Sequence, residues 1–230
     1  MSLQLPARHP TARHPTVGDA STPRPPTAWS VAGERTGRSG PGVSTRHVYV
    51  DETKRAGYVV VAVSVAAPGP ARRSVQGLVV PGRRRVHMHN EHARRRRAIV
   101  AAVVAMGTEA GGVEAGGVEA TVYDAAHRYH SDLAARGACL GALVEDLAVS
   151  GDDIDLVIEA DASLVRSDRH ELYRGTRAAS ASATFAYRHQ RAHEEPLLAL
   201  PDVVAWCWAR SGEWRAQVAP VVADVRHVGA

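Results

Sequence analysis

The chain has 230 residues, 45% hydrophobic and 23% charged, which excludes a collagen-like, coiled-coil or wholly disordered protein and fits one sizeable domain or two small ones. Its formal charge of +4 conceals an asymmetry: residues 1–45 carry a net +3 and residues 83–97 a net +6, leaving −5 for the rest. A basic block on an acidic body points to a polyanionic partner, although the near-absence of lysine (Lys54 alone) also fits a GC-rich coding bias.

Residues 1–45 are Arg-, Ser- and Thr-rich, with seven prolines between Pro6 and Pro41, and read as a disordered basic tail. They lack the apolar core of a secretory signal, and no apolar run reaches the length of a membrane span, so the expectation is a cytoplasmic protein without a membrane partner. Cys139 and Cys207 stand far apart, as thiols in a reducing compartment do.

Folded texture begins at Arg46 and continues to residue 230 as a single domain. His47–Glu52 reads as a strand ending in two carboxylates, and Tyr58–Val65 as a buried, Val-rich strand. Pro68, Gly69 and Pro70 close it, and Ser74–Val80 is expected to be a third strand, completing an antiparallel meander. Asn90 is positioned to cap a helix running to about Met106, with Ile99, Val100, Val103 and Val104 on one face. The tandem unit in residues 109–120 (EAGGVEAGGVEA) reads as a loop. Ala120–Tyr123 is a strand and Leu133–Leu147 an Ala/Leu helix in which Gly137 and Gly141 permit close packing. Ile154–Ile158 is a strand running into Glu159 and Asp161. Asp168–Tyr173 suggests a helical turn, Ala183–His189 a strand, and Leu197–Ala209 and Trp214–Val222 two helices. The order implies an α/β domain with a mixed sheet flanked by helices.

The chemistry lies in acids at the ends of apolar elements: Asp51 and Glu52, then Glu159 and Asp161, then Asp202 on an otherwise apolar helix. Buried carboxylates need compensation, and if three converge, hard oxygen ligands favour Mg²⁺ or Mn²⁺. Two such ions could activate a water and stabilise the leaving oxygen of a phosphodiester. Each acid alone also has a structural explanation, as a strand-end or helix-cap residue.

Tyr49-Val50-Asp51-Glu52 before a Val-rich strand resembles the Y-x-D-E-S opening of a domain-of-unknown-function family with a ribonuclease H-like fold. His87-Met88-His89 resembles the family's His-containing stretch, Leu156-Val157-Ile158-Glu159 its apolar strand ending in an acid, and Leu198–Ala205 its terminal L-x-x-A-D-x-x-A helix. Thr53 stands in place of Ser, Glu159 in place of the commoner Asp, and Pro201 in place of Ala. The resemblance implies a three-strand antiparallel meander followed by alternating helices and strands. It also implies a metal site built from Asp51, Glu159 or Asp161, and Asp202, acting as a nuclease on DNA or RNA. Glu52, on the opposite strand face, Glu91 and His87 are candidates to support that site.

Arg94–Arg97 occupy the first turns of a predicted helix, where four cations oppose the macrodipole unless an anion offsets them. With Arg83, Arg84 and Arg85 just upstream, they are the candidate nucleic-acid contacts. The competing reading is a solvated basic face. His87, His89 and His92 match no familiar zinc spacing. Trp206, Trp208 and Trp214 suit core packing or a homodimer contact better than base stacking. The alternative to a nuclease is an inactive module on the same fold, binding nucleic acid or a protein partner through the Arg face.

Overall fold

A computed structural model describes residues 44–107 and 117–229, so the expected tail up to residue 43 and most of the Gly-rich repeat lie outside the described residues. Nine-residue β1 (Thr45–Thr53) pairs antiparallel with β2 (Tyr58–Val65) through the registers His47–Val65 to Thr53–Val59. Gly57, at φ +95°, makes the turn between them; a Cβ there would lie 2.7 Å from the Ala126 backbone, so only glycine fits.

The segment expected to be a third strand is instead helical: α1 spans Pro68–Gly77. The prolines that end β2 also start the helix, since a proline in the first turn forfeits no hydrogen bond. Ala71 and Val75 are buried one turn apart while Arg73, Ser74 and Gln76 face solvent, a helical period. The antiparallel neighbour of β2 is β3 (Val118–Ala126), reached only after α2 (Ala93–Gly107). A 3-10 turn at Met88–Asn90 precedes α2, and His92 rather than Asn90 adjoins it, its Nδ1 accepting from the Arg95 N–H at 3.4 Å.

Helix α3 (Asp132–Val149) is capped by Ser131, whose side chain accepts from the Ala134 N–H. Strand β4 (Asp153–Glu159) lies parallel beside β1, α4 covers Val165–Ala178, and β5 (Phe185–Gln190) lies parallel beside β4. A 3-10 turn at Pro196–Leu198 leads into α5 (Ala199–Trp208), followed by α6 (Gly212–Val218). Beyond α6, which ends at Val218 rather than Val222, the chain forms β6 (Val222–His227), parallel to β3, a strand that was not expected. None of its residues is fully buried and its apolar residues do not alternate, as befits an edge. The six-stranded mixed sheet has the order β5-β4-β1-β2-β3-β6.

Strand alternation divides the core in two. Tyr49, Val59, Val61 and Val63 pack with α1, α2 and α5 on one face; Val48, Val50, Val60 and Ala62 pack with α3 and α4 on the other. Helices α3 and α4 approach at Gly175, where a Cβ would lie 3.3 Å from Val144, and at Gly137, where it would lie 3.4 Å from Glu171, whereas Gly141 faces open space. Among the described residues no helix is long and apolar enough to cross a membrane.

Candidate active site

Parallel pairing of β1 and β4, last registered at Val50–Ile158, makes both strands leave the sheet at the same end. Asp51 and Glu159 are the next residue of each. Asp51 shares parity with Tyr49, and Glu159 with Val157, so both carboxylates point to the face covered by α5. That helix supplies Asp202 in its first turn, where the macrodipole favours an acid.

Burial, followed by the charges of Glu159, Asp202 and Glu52, pushes the Asp51 carboxyl well above its usual range, while the Glu52 N–H, donating to Oδ1 at 2.7 Å, opposes the shift. Asp51 has no cationic side-chain partner among the described residues, but its neighbours do. Arg85 Nη1 donates to Glu159 Oε1 at 2.6 Å. The Met88 N–H donates to Asp202 Oδ2 at 2.9 Å, with His87 Nδ1 at 3.4 Å from the same oxygen. The Asp202 contact raises the His87 pKa against burial, which lowers it.

The His87–His89 segment is a strap between two helices. Met88 is fully buried beneath it, and Arg96 of α2 donates to the Met88 and His89 carbonyls at 2.9 and 3.0 Å. The strap thereby fixes the imidazole beside Asp202.

The other predicted site residues lie elsewhere. Asp161 is exposed; its Oδ1 accepts from the Ser163 hydroxyl at 2.6 Å and N–H at 2.9 Å, which hold its pKa down, and its carbonyl starts α4. It therefore leaves Glu159 as the β4 acid facing Asp51. Glu91 is buried against Arg95, Oε2 to Nε 3.0 Å, at the entry to α2. Glu52 points through the sheet to the opposite face, where Arg136 Nη1 meets its Oε2 at 2.5 Å.

That contact leads to a buried network the sequence reading did not single out. Arg136 grips Asp168 through Nε at 2.6 Å and Nη2 at 2.8 Å, and His189 Nε2 lies 2.9 Å from Asp168 Oδ2. Burial would raise the Asp168 carboxyl, but hydrogen bonds from Arg136 and His189 outweigh it and hold the pKa low. The signal was present: Arg136 shares the apolar stripe of α3 with Cys139, Leu140 and Leu143.

The predicted arginine contacts divide similarly. Arg95 and Arg96 are turned inward onto backbone carbonyls, Arg95 reaching Leu78 and Arg96 the His87–His89 strap. Arg97 lies over the Trp214 ring at 5.7 Å and 3.9 Å from Glu213. Arg83, Arg84 and Arg94 are exposed, with no ion-pair partner among the described residues. Trp206 is buried edge-on to Trp214 at 5.0 Å, which bears out core packing and removes its face from base stacking.

In donor type, Asp51, Glu159 and Asp202 fit a hard divalent cation: three carboxylates, one of them disfavoured as an anion by the other two. As they stand, no three His, Cys, Asp or Glu among the described residues are grouped closely enough to hold a metal ion. Comparisons with protein-family models, with curated proteins and with solved structures find nothing that matches this chain.

Proposed function

We propose that the chain is a metal-dependent nuclease with a ribonuclease H-like core, hydrolysing phosphodiester bonds of DNA or RNA. The observation that carries this reading is the half-buried Asp51 carboxyl, at the same sheet end as Glu159 and facing the helix that bears Asp202, whose charges oppose its ionisation. The topology supports it: β1, β2 and β3 form the antiparallel run, β4 and β5 lie parallel beside β1, and a late helix brings in an acid. Asp51, Glu159 and Asp202 would hold Mg²⁺ or Mn²⁺, which supplies an activated water and charge stabilisation of the leaving oxygen. His87, oriented by Asp202 through Nδ1, would hold or release a proton at its other ring nitrogen, Nε2. Arg85, on Glu159, places a cation where a phosphate oxygen can reach it.

The test is cleavage of labelled single-stranded and duplex DNA and RNA in Mg²⁺ or Mn²⁺. Asp51→Asn is expected to lower the rate by about a thousandfold or more while leaving nucleic-acid binding in EDTA intact. Absence of cleavage by the wild-type chain on every substrate overturns the reading. A second reading, a module that binds nucleic acid or a protein partner without cutting, is favoured by Arg85 and His87 already partnering two of the three acids. Under it, Asp51→Asn alters nothing the protein does.

A further inference from the structure

Beside the acid cluster lies a cleft of about 290 Å³ between the β1–β2 turn and the C-terminal end of α5. Glu52, Arg55, His89, Asp202, Trp206 and Arg210 line it. Its acids are engaged elsewhere, Glu52 by Arg136 and Asp202 by Met88 and His87. Its arginines are not: neither Arg55 nor Arg210 has a carboxylate partner among the described residues.

Arg210 is also held in place. The Arg210 guanidinium sits 3.5 Å from the centroid of the Trp206 ring and donates to the Trp206 carbonyl at 3.3 Å. Arg96 lies 4.7 Å from the same ring. Burial, then the charges of Arg55 and Arg96, lower the Arg210 pKa. Guanidiniums without carboxylate partners on a concave wall call for an anion rich in acceptor oxygens.

We propose that this cleft seats a backbone phosphate of a nucleic-acid strand, with Arg55 and Arg210 as its charged donors. The proposal rests on the nuclease reading for the identity of the strand and adds where that strand lies. Asp202 borders both the cleft and the acid cluster, so the seated phosphate is a neighbour of the one that reacts. With Trp206 covered by guanidinium groups, the cleft reads phosphate rather than base, and sequence preference should be weak.

The experiment uses the full chain in EDTA, where cleavage plays no part, with fluorescence anisotropy of a short fluorescein-labelled single-stranded oligonucleotide. The double variant Arg55→Gln/Arg210→Gln is expected to bind roughly tenfold more weakly, with a salt slope shallower by about 1. Arg55→Gln alone, at an exposed turn position that threatens no packing, should show part of the same loss. Arg166→Gln/Arg169→Gln, an equal charge change on exposed positions of α4, should bind as the wild type does. Equal losses in both double variants, no loss in the cleft variants, or inorganic phosphate binding as tightly as the oligonucleotide overturns the proposal. Loss confined to the cleft variants, in a protein that never cleaves, upholds the cleft and rejects the nuclease.

Discussion

Two polar clusters lie back to back at the same end of the sheet, and adjacent residues of one strand feed them. Glu52 enters a closed network in which Arg136, Asp168 and His189 satisfy one another out of solvent. Asp51 enters a cluster of three acids whose charges oppose its ionisation. The first is what a folded core does with buried charge: it pairs it and saturates its hydrogen bonds. The second leaves the central carboxyl without a counter-charge. A chain that completes one cluster and leaves its neighbour incomplete marks the incomplete one as the place for a ligand.

The sharpest way to break this contrast is to open the closed network. Arg136→Ala leaves Asp168 and Glu52 without their cation and is expected to cost about 3–5 kcal/mol in urea unfolding, with or without Mn²⁺. A near-neutral result would make the two clusters alike.

The pH dependence should differ in sign between them. Asp168, held below its ordinary 3.8, contributes stability that is present above that value and lost as pH falls through its depressed pKa. Asp51, raised above 3.8, contributes in the opposite sense: its share is fully present below 3.8 and is lost as pH rises through its elevated pKa. Unfolding measured across pH should therefore show Asp168→Asn flattening the acid limb. Asp51→Asn should flatten the limb above 3.8 and stabilise the chain at neutral pH. A destabilised Asp51→Asn at neutral pH would place Asp51 in the same class as Asp168.

The smallest effect is expected at Arg85. Its ion pair with Glu159 is about one-third exposed, at 34% and 26%, so Arg85→Gln should change stability by no more than ~1 kcal/mol. Because it strips a cation from the acid cluster, it should strengthen Mn²⁺ binding, read by calorimetry.

How far the sequence revealed this arrangement depends on which force decided each element. Strand parity alone put Asp51 and Glu52 on opposite faces, and the structure places them so. The acid-bearing ends of β1 and β4 were legible because buried strands have plain boundaries. The stretch from Pro68 to Gly77 was not: a Pro-Gly-Pro cluster reads as a break, yet here it starts a helix held by Ala71 and Val75 and by Arg72, which reaches Glu195 at 2.7 Å. Strand β6 was hidden because at the edge none of its side chains is fully buried and its apolar residues, Val222, Ala223 and Val225, do not alternate. Asp161 and Glu159 could not be separated by spacing, since the choice turns on Ser163 drawing Asp161 into a turn. Arg55 and Arg210 stand outside the arginine blocks and become a pair only when a turn and a helix end meet.

The central claim is that the acids around Asp51 hold a divalent metal, and titration of Mn²⁺ into the full chain by isothermal calorimetry addresses it most directly. The account predicts saturable binding by the wild type, abolished in Asp51→Asn and retained in Asp161→Asn, whose carboxylate is turned away onto Ser163. No binding by the wild type, or binding that Asp51→Asn leaves unchanged, would contradict it.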